Sequence, residues 1–115
     1  MKRAVLILMA FCSTYIFAQN TEPTFVKEGK MVKATYFHEN GLVAQMGYML
    51  NGKLHGDWTM FDAKGDKIAQ GKYVDGMKQG KWFFWKGDVV KEVDFVDSKI
   101  AAVKELTSAD GVTVN

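Results

Sequence analysis

Cysteine, arginine and proline each occur once in the 115 residues, as Cys12, Arg3 and Pro23. Cys12 and Arg3 both lie before residue 18, so the chain beyond that point contains neither residue type. Without cysteine, it cannot form disulfides, thiolate metal sites or a cysteine nucleophile. Without arginine, it lacks the planar guanidinium that binds phosphate through two hydrogen bonds.

Net charge is also missing from the chain after residue 18. Residues 19–115 contain 13 lysines and 13 acidic residues, so their formal net charge is zero. A protein that binds nucleic acid normally carries a basic surface that neutralises phosphates. The sequence therefore predicts that nucleic acid is not a partner.

The first 18 residues are predicted to be a secretory signal peptide. Lys2-Arg3 form a short positive segment, Ala4 to Phe17 are almost all apolar, and cleavage is expected after Ala18. The apolar segment is short for a membrane span. The alternatives are a retained membrane anchor and a lipoprotein acylated at Cys12, although Phe11 precedes that cysteine where a small residue is expected. Export would place the remaining 97 residues in the periplasm or outside the cell.

A 24-residue repeat organises the middle of the chain. The segment from Asn51 to Trp58 is matched by the segment from Asp75 to Trp82, with glycine second and sixth and tryptophan last in both. A partial copy begins at Met31, and a less regular copy follows Trp82. A fixed period of this size indicates similar supersecondary units that bury their apolar faces against each other. The repeated anchors are Gly41, Gly47, Gly52, Gly56 and Trp58, then Gly65, Gly71, Gly76, Gly80 and Trp82.

Glycine-containing turns recur about every ten residues and predict an all-β domain. Asn-Gly and Asp-Gly pairs supply the positive φ angles that tight hairpin turns require. The intervening runs, rich in aromatic and β-branched residues, predict an antiparallel meander of seven or eight strands in one curved sheet. Residues 100–106 are predicted to be the last strand, with a brief helical turn as the alternative. The other predicted strands are 31–38, 42–50, 56–61, 67–74, 80–86 and 89–96.

The domain boundaries follow from the same pattern. Residues 19–30, which include Pro23 among polar residues, are predicted to be a flexible leader. The β-repeat domain is predicted to cover residues 31–107. Residues 108–115 are predicted to be a C-terminal tail.

Alternation along the predicted strands divides their side chains between two faces. Lys81, Phe83 and Trp85 alternate on the side opposite Trp82. Two outcomes are open for Phe83 and Trp85. Residues 100–106 cover them, or they form an exposed aromatic patch that would be a binding-site candidate. The core face is predicted to contain Trp58, Met60, Trp82 and Phe84, joined by Met49, Tyr73 and Phe95.

The spacing of glycine and tryptophan resembles the bacterial variant of the MORN repeat, found in proteins labelled YwqK-type antitoxins. The resemblance covers about residues 31–97 and is clearest from Gly52 to Gly56. The second copy differs, with Met77 in place of Lys53 and Gln79 in place of His55. The resemblance implies β-hairpins laid side by side in a long curved sheet. It also implies scaffolding, dimerisation or association with a membrane surface, without a catalytic residue set.

Few residues are suited to catalysis or metal binding. His38 and His55 are the only histidines, and His55 is expected to form local hydrogen bonds rather than to bind metal or catalyse a reaction. Ser98 and Ser108 do not lie in a Gly-x-Ser-x-Gly elbow, and the glycines lack nucleotide-binding spacing. No cofactor or metal is predicted. Exposed turn carboxylates, rather than a calcium loop, are expected at Asp62, Asp66, Asp94 and Asp97.

The sequence therefore predicts a non-catalytic exported repeat module for protein–protein interaction or scaffolding at the cell envelope. Its expected partner is an envelope protein or a second copy of the chain. The alternative is binding of a glycan or an anionic lipid surface through Lys81, Phe83, Trp85 and Lys86, because aromatic rings flanked by lysines suit both ligands. A small enzyme with an unrecognised site is the least favoured interpretation.

Overall fold

The structure, a computed structural model, describes residues 21–106, which form one sheet of eight antiparallel strands. Each strand pairs with the strands that precede and follow it in the chain, so the sheet is a meander. The predicted all-β meander is confirmed, and residues 99–106 form a strand rather than a helical turn. The strands are β1 (Thr24–Glu28), β2 (Met31–Phe37), β3 (Val43–Leu50), β4 (Lys53–Phe61), β5 (Lys67–Val74), β6 (Met77–Lys86), β7 (Val89–Val96) and β8 (Lys99–Leu106).

The predicted signal peptide and C-terminal tail lie outside the described residues. Between residues 21 and 106, there is no helix with the length and apolar composition needed to cross a membrane.

The leader prediction is wrong for Thr24–Glu28, which form β1. This strand pairs with β2 from Thr24 opposite Thr35 to Glu28 opposite Met31. Its Phe25 ring lies 6.1 Å from the Tyr36 ring in an edge-to-face arrangement. The leader prediction rests on polar residues and proline, whereas Thr24–Glu28 are stabilised by hairpin pairing with β2 across the two-residue connection at 29–30.

Three two-residue turns lie at the same end of the strands and set where the strands beside them begin and end. Both central residues of each turn have positive φ, the feature of the type I′ turn whose twist matches that of a hairpin. Because these turns are so short, β4 and β6 begin three residues before their predicted starts at residues 56 and 80. The turns are Asn51-Gly52, Asp75-Gly76 and Asp97-Ser98.

One side of the sheet, here called the aromatic face, carries a row of rings that runs across the strands. Trp58 and Trp82 are only 3% and 1% exposed, although the described chain provides no second layer above them. Neighbouring rings bury them: Tyr73 lies edge-on to both, at 5.8 Å from Trp58 and 5.0 Å from Trp82. Each such pair contributes roughly 1 kcal/mol beyond area burial. The same cluster includes Tyr36, Leu54, Met60, Phe84, Val93 and Phe95.

These contacts confirm the predicted core positions, with one exception. Met49 is half-buried opposite Val32 and Leu54 and does not belong to the tryptophan cluster. Polar atoms of the two buried indoles have partners. The Trp58 N–H donates to Gln45 Oε1 at 3.2 Å, and the Trp82 N–H donates to the Lys72 carbonyl oxygen at 3.1 Å.

Candidate functional site

The opposite side of the sheet, here called the reverse face, contains three of the four residues predicted to form an interaction surface. Alternation along β6 places Lys81, Phe83 and Trp85 on this face, whereas Trp82 and Phe84 lie on the aromatic face. Lys86 follows the alternation of Phe84 and lines a cleft beside it, together with Lys91 and Glu105. The predicted surface is therefore divided between the two faces.

Phe83 and Trp85 form a half-buried ring pair on the reverse face. Their ring centres are 6.2 Å apart and their planes are inclined by 34°. The strand β8 does not cover them, because it pairs along the edge of β7 and extends the sheet sideways. Its Leu106 stands opposite Val90, which in turn stands opposite Trp85, so β8 provides apolar packing at one flank of the pair.

Lys67 of β5 joins this surface, although the sequence does not predict its place there. Its Nζ lies 5.6 Å from the centre of the Trp85 ring and donates a 3.2 Å hydrogen bond to Gln70 Oε1. The register of β4 and β5 shifts between Met60 and Phe61, which leaves Ile68 as an extra residue in β5. This bulge moves Lys67 to the face opposite the one that simple alternation from Ala69 would give.

Two clefts lie on the reverse face at the ends of the ring pair. One, of about 510 Å³, borders Phe83 and is lined by the amides of Gln70 and Gln79 and by Lys72 and Asp57. The other, of about 300 Å³, borders Trp85 and Lys67 and is lined on its turn side by three aspartates, Asp62, Asp66 and Asp88. One cleft therefore adjoins each ring of the pair on the reverse face of β6.

Lys81, which lies beyond Phe83 on the reverse face of β6, is paired with a carboxylate. Lys81 Nζ lies 3.4 Å from Glu92 Oε1 across the β6–β7 pair. Asp94 stands directly opposite Lys81 in the register. Asp94 thus lies within β7, and the prediction that it is a turn carboxylate is wrong.

His38 and His55 connect neighbouring turns of the sheet. His38 Nε2 donates to the Phe61 carbonyl oxygen at 2.8 Å. His55 Nδ1 accepts a 3.3 Å hydrogen bond from the Asp75 backbone N–H, so its hydrogen bond is not the local one that the sequence predicts. The bond to Asp75 joins adjacent hairpins, since the two residues are 20 positions apart.

Gln79 repeats the arrangement of His55 one unit later. Its Oε1 accepts a 3.2 Å hydrogen bond from the Asp97 N–H, and its Nε2 donates to the Asp97 carboxylate. Ser98, considered in the sequence only as a nucleophile, completes this turn by accepting a 2.9 Å hydrogen bond from the Lys78 N–H. The change from histidine to glutamine between the repeats therefore retains the contact.

The turn carboxylates form hydrogen bonds within their own loops. Asp62 Oδ1 accepts from the backbone N–H groups of Lys64 and Asp66, at 2.9 and 3.0 Å. In the described part of the chain, no three His, Cys, Asp or Glu residues are grouped as a metal site would require.

Comparison of the chain with protein-family models gives no match, and comparison with curated proteins gives none either.

Proposed function

We propose that the chain is a non-catalytic exported repeat module that binds an envelope protein or a second copy of itself. The 24-residue period of glycine and tryptophan supports a MORN-type repeat protein. The signal-like first 18 residues support export to the periplasm or beyond. The single-layer sheet supports a binding role, because within residues 21–106 no second layer covers either face and each outer strand pairs on one side only.

The observation that carries this proposal is the apolar surface of the two outer strands. Ile100 and Val103 of β8 are 63% and 59% exposed, and Phe25 of β1 is 56% exposed. All three lie on the aromatic face, in register with its buried row. Within residues 21–106, β1 and β8 each have a paired strand on one side only. An outer strand with exposed apolar side chains is a template for pairing with another strand.

Cross-linking of the exported protein in its native cells, followed by mass spectrometry, tests the proposal. We expect a cross-linked partner or dimer with the wild type and a large reduction with Val103→Lys, because a lysine on an outer strand opposes strand pairing. Val74→Lys is the matched control, since Val74 is an exposed valine on a strand paired on both sides. Only monomer from the wild type, or equal yields from both variants, would contradict the proposal.

A second candidate function is binding of a glycan or an anionic lipid surface by the reverse face. The proximity of Lys81, Phe83 and Trp85 on an uncovered part of the described sheet favours it. Tryptophan emission recorded with soluble glycans and with anionic vesicles tests it. A lack of response to both ligands would exclude it.

A further inference from the structure

The two outer strands of the described sheet, β1 and β8, run in opposite directions. All neighbouring strands are antiparallel, and β1 and β8 end a series with an even number of strands. A second copy placed beside β8 in the same orientation therefore presents its own β1 antiparallel to that strand, with its aromatic face on the same side. The sheet then continues from one copy into the next without a change in strand order.

The aromatic face ends in exposed apolar side chains on both outer strands. Phe25 of β1 and Ile100 and Val103 of β8 are each more than half exposed. Phe25 stands opposite the buried Ala34, and Val103 stands opposite the buried Val93, so each lies one strand away from buried residues of this face. A second copy whose Phe25 lay beside Val103 would extend the buried row and remove apolar surface from water.

The charges of the two outer strands are opposite on each face of the sheet. On the aromatic face, β1 carries Lys27 and β8 carries Glu105. On the reverse face, β1 carries Glu28 and β8 carries Lys99 and Lys104. The ion pairs within residues 21–106 include none of these five side chains. Electrostatic complementarity therefore favours β1 as the partner of β8.

Glu28 and Lys99 are the two outer-strand charges best placed to pair between copies. Glu28 stands opposite Met31 and Lys99 stands opposite Val96, so neither faces a charged residue across the strand pair of its own copy. The other two charges of β8 face residues of opposite charge in β7, which are Glu92 for Lys104 and Lys91 for Glu105. An ion pair between Glu28 and Lys99 therefore competes with no cross-strand pair inside either copy.

One register brings the apolar and the charged residues together. With Phe25 opposite Val103, all five residues of β1 face β8, and Glu28 faces Lys99 once the one-residue bulge of β8 is counted. A shift by one residue would exchange the two faces of the incoming strand. A shift by two towards the end of β8 would set Phe25 opposite the carboxylate of Glu105.

Pairing between two copies of β8 is less well matched. A two-fold axis perpendicular to the sheet would keep both aromatic faces on one side. The register that then sets Ile100 opposite Val103 also sets Lys99 opposite Lys104, once for each copy. Like charges that stand directly opposite each other destabilise a strand pair.

We propose that copies of the chain join head to tail, with β1 of one copy pairing antiparallel with β8 of the next. This inference rests on the proposed function and selects the second copy of the chain as the partner. The interface is heterologous, so a joined pair still presents one unpaired β1 and one unpaired β8 within residues 21–106, and further copies add at both ends. Five paired residues make a small interface, so assembly increases with protein concentration.

Cysteine cross-linking tests which strands meet. In a Cys12→Ser background the full chain contains no other cysteine. Val26 and Ala102 are exposed residues that stand opposite each other in the proposed register. Purified Val26→Cys and Ala102→Cys proteins are treated with a short bismaleimide, alone and as an equimolar mixture, and the variant with both cysteines is treated in the same way. Val74→Cys mixed with Ala102→Cys is the control, because Val74 lies on a strand paired on both sides.

We expect a cross-linked dimer from the mixture of Val26→Cys and Ala102→Cys, and a ladder of dimers, trimers and larger species from the variant with both cysteines. A dimer formed as readily by Ala102→Cys alone indicates a β8–β8 pair, which overturns the head-to-tail proposal and leaves the proposed function standing. Yields no higher than the Val74→Cys control also overturn it. The proposed function then still stands if cross-linking in native cells recovers an envelope protein, and fails if it recovers neither a partner nor a dimer.

A charge exchange tests the register. Glu28→Lys and Lys99→Glu are each expected to weaken self-association about fivefold, because each sets like charges opposite each other. The variant with both changes restores the ion pair with its direction reversed, so its association should return to the wild-type level. Sedimentation equilibrium over a range of concentrations measures the association.

Lys53→Glu is the matched control for these variants, because Lys53 is an exposed lysine on β4, which is paired on both sides. Circular dichroism verifies that each variant is folded. A double variant that remains as weak as the single variants, or an equal loss in Lys53→Glu, contradicts the pairing of Glu28 with Lys99.

Discussion

The indole of Trp82 occupies the space in which a side chain at Gly71 would stand. A Cβ atom built on Gly71 would lie less than 3.0 Å from three atoms of the ring. Trp58 has the same relationship to Gly47 on the strand that precedes it. Each glycine comes 11 residues before its tryptophan. The glycine–tryptophan spacing of the repeat is therefore a steric requirement of the buried row.

Gly71→Ala should be strongly destabilising. Its Cβ would force the Trp82 ring out of the buried cluster, and overpacking of this kind costs about 3 kcal/mol or more. Gly29→Ala is the control, since Gly29 has a φ of 64° and a Cβ added there would meet no atom within 4 Å. That variant should lose only about 1 kcal/mol through backbone strain. Urea unfolding measures both, and equal losses would contradict the steric explanation.

Ser98 combines a strained backbone with a hydroxyl that accepts a hydrogen bond. It adopts a φ of 64° at the position where the two preceding repeat turns have glycine. Ser98→Ala should destabilise by about 1 kcal/mol, because it removes the hydrogen bond from the Lys78 N–H and retains the strain. Ser98→Gly loses the same bond but relieves the strain, so its free energy of unfolding should stay within about 0.5 kcal/mol of the wild type. Thermal or urea unfolding distinguishes the two variants, and a larger loss in Ser98→Gly would contradict this balance.

Tyr73 should make the stability of the sheet sensitive to alkali. Burial raises the pKa of its hydroxyl above the ordinary value of 10.0. As pH rises, the unfolded chain loses this proton first, so the stability that Tyr73 contributes below pH 10 declines through its raised pKa. We expect Tyr73→Phe to gain stability relative to the wild type between about pH 9 and about pH 11. Urea unfolding across that range measures the difference, and parallel pH profiles would contradict the prediction.

The fold was predictable because its determinants are local. Turn residues such as Asn51-Gly52 and Asp75-Gly76 require positive φ, and the alternation around Trp58 and Trp82 assigns the buried face from single strands. The position of Gly56 is not predicted by its own residue type. The sequence predicts that a strand begins there, whereas Gly56 lies inside β4 with a φ of 89°, at an irregularity in the pairing with β3.

The candidate site was only partly predictable because it depends on pairing between strands. The position of Phe83 and Trp85 on the reverse face follows from the alternation of side chains along β6. Lys67 reaches their face only because Ile68 is an extra residue in β5, and such a bulge is visible only once β4 and β5 are in register. The strand β1 is missed for a different reason: the leader prediction follows the polar residues around Pro23, whereas Thr24–Glu28 pair in a hairpin with β2.

Pairing in chain order has a consequence for how the molecule opens. Because each strand contacts mainly its two neighbours, local stability is set by the adjoining units, as in a one-dimensional array. The strand β1 has five paired residues, all of them exposed, whereas β6 lies between two fully paired strands and contains the most buried tryptophan. Backbone amides should therefore exchange with solvent progressively more slowly from β1 towards β6, and hydrogen–deuterium exchange would measure this gradient.

Uniform exchange across the strands would contradict this prediction and would indicate that the sheet opens as a single unit. If the gradient is observed, β1 separates from β2 while the centre of the sheet stays folded. The unpaired side of β2 then becomes a transient outer edge of the sheet.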